Sequence, residues 1–493
     1  MTRRIPAALA ALLLAGCAAG PDFQKPAPPD VAGYTPEPLA DTTSAETAGG
    51  TKQSFTPGQD IPGEWWTLFH SEPLDQLVTE ALKANPDLQA AQASLRQAQE
   101  AVYAQQGALL PGVDAGFTSE RQKINGANFG QPGSHNIFNL DTAQVSASYA
   151  PDVFGGTRRQ VESAAAQAEY QRFQLEAAYL TLTSNVVAAA VQEASLRAQI
   201  AATGDIVTAE AGQLKILRDQ LALGGIARST VLQQEATLAQ TRATLPLLQK
   251  QLAQQRNRIA ALAGRFPSQP PGQTFELASL TLPQELPVSL PSRLVEQRPD
   301  IRAAEATLHQ ASANIGVATA AMLPQFNITG DIGSTAIMIG SLFGPGSGIW
   351  SLAAGVTQPL FRGGTLLHQK REAEAAYDAA AAQYRSTVLT AFQNVADALR
   401  ALQSDADALQ AQTDSERAAR ANYDLASEQF KLGAVNYLTL LAAETTWQQA
   451  RVALAQAQAN RFADTAALFQ ALGGGWWNRT DVADAGQAAK DQP

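Results

Sequence analysis

A single cysteine, four histidines and two Gly-Gly pairs are the residues of this chain whose type and setting invite chemistry. Cys17 closes the run Leu14-Ala15-Gly16-Cys17, behind Arg3, Arg4 and a short apolar segment from Ile5 to Leu14. That arrangement resembles the bacterial lipobox, in which the thiol is acylated and the cysteine becomes the mature N-terminus. The segment is too short for a membrane span, which needs about 20 apolar residues. A lone cysteine also excludes any intrachain disulfide. His70, His135, His309 and His368 are scattered without metal-ligand spacing and read as solvated or packed side chains. Gly155-Gly156 and Gly363-Gly364 sit where nucleotide loops sit, after strands and before helices, yet carry neither G-x-x-x-x-G-K-[ST] nor G-x-G-x-x-G. With Pro151 and Pro359 they read as strand-to-helix bends. No Ser/His/Asp arrangement can be argued, so neither catalysis, nor a metal, nor a cofactor is expected.

The elements that position these residues are long helices. Over 493 residues the chain is 6% aromatic and 16% charged, with abundant Ala and Gln, a composition that suits close-packed helices better than a bulky globular core. A formal charge of -10 without a Lys/Arg cluster argues against nucleic acid as a partner. Residues 18–64, rich in Pro, Gly, Thr and Ala, read as an extended strap. Ala18 follows the cysteine in place of the Asp that resembles an inner-membrane retention signal, which favours the outer membrane.

The chain also repeats itself. Asn85-Pro-Asp-Leu-Gln-Ala-Ala-Gln-Ala-Ser-Leu-Arg-Gln-Ala-Gln99 returns as Arg298-Pro-Asp-Ile-Arg-Ala-Ala-Glu-Ala-Thr-Leu-His-Gln-Ala-Ser312 at an offset of 213, as does Leu110-Pro111 in Leu323-Pro324. Pro151, Gly155 and Gly156 recur as Pro359, Gly363 and Gly364, and Gly225 as Gly433, at an offset of 208, which puts a five-residue loss between Pro111 and Pro151. The resulting division is 1–16 signal peptide, 17–64 lipid anchor and strap, 65–264 first repeat, 265–297 Pro-rich equatorial connector, 298–475 second repeat and 476–493 tail.

Within each repeat, alternating residues predict a strand hairpin: Val113, Ala115 and Phe117 with Val145, Ala147 and Tyr149, then Phe326 and Ile328 with Trp350, Leu352, Ala354 and Val356. Alternation with long polar loops at one end fits an outer-membrane strand and, on periodicity alone, equally a half-buried soluble hairpin. Proline-free stretches from Arg158 to Leu223 and from Leu366 to Leu432 follow, each ~100 Å if helical throughout. Gly224-Gly225 and Gly433 end them, and Ser229 or Thr230, and Asn436, offer N-caps for return helices. Four strands cannot close a membrane barrel, and open edges cannot face lipid, so any barrel must be shared between chains.

Three motifs are recognisable: Leu290-Pro-Ser-Arg-Leu-Val-Glu-Gln-Arg-Pro-Asp-Ile-Arg-Ala-Ala-Glu305, Gln358-Pro-Leu-Phe-Arg-Gly-Gly364 and Ala471-Leu-Gly-Gly-Gly-Trp-Trp477. They resemble the TolC family of outer-membrane channels, in its NodT-like lipoprotein branch, as do Cys17, Trp65-Trp66 and Leu74-Asp75-Gln76-Leu77. The resemblance implies a mainly α protein with a membrane β part, four strands per chain completing a 12-stranded barrel in a homotrimer, continued by a long α-helical periplasmic tube. It implies passive export of small molecules to the outside, with a periplasmic adaptor and an inner-membrane pump of the resistance-nodulation-division class as partners. A type I protein-secretion duct has the same fold, and a non-conducting coiled-coil envelope lipoprotein is the alternative of another class.

The resemblance also places regulation at the helix tips, around Gly225, Arg228, Thr230 and Val231 in the first repeat. The family's second-repeat pattern, Tyr-x-x-Gly-x-Arg-x-x-x-Asp-x-x-Asp, falls here on Phe430, Gly433, Val435, Thr439 and Ala442, so its hydroxyl, guanidinium and carboxylates are missing. Its first-repeat Thr-Asp pair falls on Thr230 and Val231. An apolar constriction found in some relatives matches Leu438, while its accompanying Arg falls on Thr445. The expectation is a gate held by packing around Tyr437 and Leu438, without an acidic ring to bind cations. A register shifted by a few residues would instead bring Glu444 or Glu235 into that ring.

Overall fold

The computed structural model describes residues 18–37, 39–125, 133 and 135–479. The signal segment, Cys17, most of the loop between Asn125 and Asn136, and the tail beyond Arg479 lie outside the described residues. In chain order the elements are β1 (Ser54–Pro57), a 3-10 turn (Trp65–Phe69), α1 (Glu72–Ala84), α2 (Pro86–Gly107), β2 (Gly112–Asn125), β3 (His135–Tyr149), α3 (Gly156–Ala222) and α4 (Arg228–Leu262). Then come β4 (Glu285–Val288), α5 (Pro291–Gln297), α6 (Pro299–Ala320), β5 (Gln325–Ala336), β6 (Gly348–Thr357), α7 (Thr365–Lys431) and α8 (Tyr437–Ala471).

The long helices α3 and α7 have 67 residues each, and the return helices α4 and α8 have 35 each. Absence of internal proline lets three of the four run unbroken. Pro246 lies inside α4, where its missing N–H forgoes the bond to the Arg242 carbonyl. The starts of α3 and α7 differ by 209, not 208: the second bend holds one more residue, because both Gly363 (φ 58°) and Gly364 (φ 86°) are left-handed where only Gly155 (φ 76°) is in the first. The equivalent of Gly433 is therefore Gly224, each with φ 75°, and the length difference upstream of α7 shrinks to four residues.

The chain divides into two compact units. One comprises Met1–Pro26, as far as it is described, with Ser94–Arg172 and Ala303–Arg385; the other comprises Ala27–Ala93, Phe173–Arg302 and the described part of Ser386–Pro493. Each unit draws on both repeats, so the physical division runs across the duplication.

The first unit holds one antiparallel sheet in the order β2-β3-β5-β6. Successive residues point to opposite faces. One face carries the rungs Val113–Ala147–Gly330–Leu352 and Ala115–Val145–Ile332–Trp350, and the other carries Asp114–Ser146–Asp331–Ser351. The β2–β3 hairpin continues well past Phe117 into Glu120, Arg121 and Lys123, further than its apolar alternation suggested. Hydrogen bonds that strands must make override that polar run, because an unpaired backbone costs more than an exposed charge.

In the second unit, Trp65 stacks on Phe469 at 5.3 Å, with Phe69 and Phe462 alongside. Helix α1 adds Leu74, Leu77, Val78 and Ala81, an i, i+3, i+4, i+7 stripe. Burying a side chain such as Leu74 stabilises the fold by ~1.5–3 kcal/mol. Strap and connector meet as the parallel pair β1–β4, registered Ser54 to Glu285. Four-residue strands containing Pro57 and Pro287 give too little alternation to predict. Gly473, Gly474 and Gly475 all take positive φ. A Cβ on Gly475 would lie 2.4 Å from the Pro62 carbonyl oxygen, and one on Gly473 2.7 Å from that of Gln297, so only glycine lets these segments approach.

Candidate functional site: helix tips, strand faces and bends

Both long helices end in the same way. Gly225 N–H donates to Gln220 O at 2.9 Å and Gly224 N–H to Leu221 O at 3.0 Å; Ala434 N–H donates to Gln429 O at 2.9 Å and Gly433 N–H to Phe430 O at 3.0 Å. This is the six-to-one and five-to-two pairing of a left-handed glycine terminus. The return helices start differently. Asn436 caps α8, its Oδ1 accepting from Thr439 N–H at 3.0 Å. Helix α4 starts after Ala227 with no side-chain cap, and Ser229 and Thr230 lie inside it, contrary to expectation. Extending the helix backward to Arg228 satisfies Thr230 N–H through the Ala227 carbonyl instead.

The tip residues separate into buried and exposed sets. Tyr437 is 7% exposed and packs with Leu214, Leu217, Val231 and Leu238, while the half-buried Phe430 meets its ring edge-on at 6.1 Å. Its hydroxyl donates to Gln234 Oε1, which ties α8 to α4. Burial first, then the Glu444 and Glu210 charges, raise the Tyr437 phenol above its ordinary range. Val435 and Thr230 are half-buried, whereas Gly225, Arg228, Gly433, Thr439 and Ala442 are exposed, and so is Leu438 at 58%. Tyr437 and Leu438 thus lie on different sides of α8: the chain itself packs the first and leaves the second uncovered.

The two alternative acids also part company. Glu235 pairs with Arg218 at 2.7 Å near the surface. Glu444 is buried, and the first cause, burial, with the Glu210 charge second, pushes its carboxyl up to about 7. Sequence reasoning missed Glu210 and Gln234 altogether. Both sit mid-helix among Ala and Gln, with no spacing that sets them apart.

At the bends, Asp152 takes the place of a cap: its carboxylate accepts from Thr157 N–H at 3.0 Å and Arg158 N–H at 2.9 Å. Pro151 and Gly155 bring the chain round to it, and Gly156 lies close under Ala320. Pro359, Gly363 and Gly364 make the second bend with no such carboxylate, Thr365 N–H donating to Arg362 O at 3.0 Å. The first bend also receives the strap's start. Ala19 N–H donates to Phe154 O at 2.9 Å, and Arg159 donates to Ala19 O at 3.2 Å and to Asp22 at 2.7 Å. Phe23 stacks on His309 at 4.3 Å, so that histidine is packed, as read from its isolation. Among the described residues no helix is long and apolar enough to cross a membrane, and no group of His, Cys, Asp or Glu is arranged to hold a metal.

A sheet apolar on one face and polar on the other, with two free edges and joined to very long helical hairpins, defines a subunit of a shared-barrel channel. The chain belongs to the outer membrane efflux protein family, whose model matches residues 77–265 and 290–474. It is 32% identical to the pyoverdine export outer membrane protein OpmQ of Pseudomonas putida, over 88% of this chain and 92% of that one. It is 29% identical to the toluene efflux pump outer membrane protein TtgC of P. putida, over 99% of this chain and 98% of that one. Its fold matches the open state of the Neisseria gonorrhoeae MtrE outer membrane channel with TM-score 0.79 and 28% identity, covering 94% of this chain and 100% of that one. The architecture is that of the family, a trimeric barrel of four strands per chain continued by a long helical tube, and the protein is an outer-membrane efflux duct.

Proposed function

We propose that this duct carries small toxic organic molecules passively, from an adaptor seated on its helix tips and an inner-membrane pump of the resistance-nodulation-division class. The observation that carries this reading is the sheet with its uncovered apolar face and open edges, continued by 67-residue helices. A protein with that sheet is complete only around a shared lumen. The relatives named for pyoverdine export and toluene efflux support a small-molecule cargo over a polypeptide one. Acylation of Cys17, with residues 17–64 as anchor and strap, 65–264 and 298–475 as the two repeats and 265–297 as their connector, completes the proposal. The tips differ in residue type, Arg228-Ser-Thr-Val231 against Tyr437-Leu-Thr-Leu440, which offers an adaptor two kinds of groove.

Purified protein in planar bilayers should conduct ions, and absence of channels would sink the reading. Crosslinking from Arg228 or Asn436 should trap an adaptor; a trapped secretion partner would favour the protein-export alternative. Cys17→Ser should lose palmitate labelling. The gate is read as held mainly by packing around Tyr437 and Leu438 rather than by salt bridges, with no acidic ring in its lumen. Introducing Asp at Thr439 and Ala442 should then raise cation block of single-channel current, and unchanged block would count against it.

A further inference from the structure

Glu444 of α8 is 2% exposed, and neither of its carboxylate oxygens has a hydrogen-bond partner. Glu210 of α3 is 0% exposed. Its Oε1 accepts from Thr241 of α4 at 2.8 Å and from Gln448 of α8 at 2.6 Å, and its Oε2 is buried without a partner. The two carboxyls act on each other across the seam where the α3–α4 hairpin meets the α7–α8 hairpin. That seam is otherwise closed by Tyr437 to Gln234, by Gln448 to Glu210 and by Arg451 to Asp205 at 2.8 Å.

The groups around Glu444 do not neutralise it. Helix α3 presents Glu210; α4 presents the uncharged Gln234 and Thr241; α7 presents Tyr423 and, beside it, Asp424; α8 itself adds Tyr437 and Gln448. Of the cations near the seam, Arg451 pairs with Asp205 and Arg218 with Glu235, while Arg420 of α7 lies with Asp205 and Glu416; the charge that acts on the Glu444 carboxyl is that of Glu210. Two unscreened carboxylates in one dry interface cannot both ionise at low cost.

We propose that Glu210 and Glu444 form a proton-operated latch on this seam: a proton kept on Glu444 holds the two hairpins together, and its loss drives them apart. The consequence for conduction rests on the reading above that the helix tips are the moving mouth of the duct. In the closed seam the Glu444 carboxyl sits at about 7, against an ordinary 4.5 once water reaches it. The closed state therefore binds the proton more tightly. Raising pH from 4.5 toward 7 favours the open seam, and above 7 the effect is complete. Each unit of difference in pKa multiplies the open-to-closed ratio by about ten.

The test uses the trimer in planar bilayers with the periplasmic side titrated from pH 5 to 8, alongside amide exchange around residues 437–447 corrected for intrinsic rates. Open probability should rise about tenfold or more in the wild type, and exchange in α8 should quicken with it. Glu444→Gln, which keeps the shape and the neutral charge of the protonated acid, should stay at the low-pH level throughout. Glu210→Gln should retain the response with its midpoint moved to lower pH. A Glu444→Gln duct that keeps the wild-type pH response in both readouts would overturn the latch. Exchange that follows pH while open probability does not would uphold the latch and overturn the reading of the tips as the mouth.

Discussion

Tyr437 shows how one side chain joins two packing problems. Its ring fills the cluster around Leu217 and Leu238, and its hydroxyl satisfies the buried Gln234. Tyr437→Phe keeps the ring and orphans the amide oxygen, so unfolding stability should drop by about 1–2 kcal/mol. Tyr437→Ala also empties the cluster and should cost about 3–5 kcal/mol. Equal losses from both variants, measured by denaturant unfolding in detergent, would contradict this split. A second residue responds to pH. Asp464 lies beside Arg461, whose guanidinium donates to Leu402 O at 2.7 Å and reaches the strap at Thr42 and Thr51. Burial first, and the neighbouring Asp405 second, push the Asp464 carboxyl well above the usual carboxylate range. A carboxyl raised in the folded state costs the fold stability as pH climbs from its ordinary value of 3.8 toward the raised one, and no further above it. Asp464→Asn should therefore flatten the fall in unfolding temperature across that range, and parallel wild-type and variant curves would refute the assignment.

At the scale of elements, termini and faces matter more than helix propensity. The two tips share one backbone solution, and only α8 adds a side-chain cap. Asn436→Ala should loosen the first turn of α8 by about 1 kcal/mol, seen as faster amide exchange at Thr439 and Leu440, while Ser229→Ala should leave α4 unchanged because Ser229 caps nothing. On the sheet, Trp350 and Leu352 occupy the apolar face, and Ser351 between them bonds Asp331 at 2.8 Å on the other. Leu352→Arg should cost about 2–4 kcal/mol if that face meets hydrocarbon, reducing the yield of membrane-inserted trimer. Ser351→Arg, on the polar face, should insert normally; equal yields for both would refute the assignment of faces, and loss with Ser351→Arg alone would place them the other way round.

At the scale of the whole molecule, close backbone approaches tie distant parts of the chain together. Gly475 comes against the strap at Pro62 and Gly473 against the end of α5 at Gln297, while β1 pairs with β4 more than two hundred residues away. Gly475→Ala adds a Cβ against a carbonyl in a left-handed conformation, so it should destabilise by well over ~1 kcal/mol and lower the amount of folded trimer. A variant with wild-type yield and melting would show that this junction can give way. Much of this molecule was legible in its sequence, because duplication, strand alternation, proline-free length and helix-ending glycines are local patterns whose physics acts within a few residues. The extra left-handed glycine in the second bend was not legible, since a glycine's φ follows from what its neighbours must reach. Nor was the β1–β4 pair, whose strands are too short to show a period. The sequence by itself determined the repeat, the helical rods, the two-faced sheet and the family. Tertiary structure decided which tip residues face inward and brought Glu210 opposite Glu444, because burial of a carboxyl depends on helices far apart in the chain and no spacing along it records their meeting.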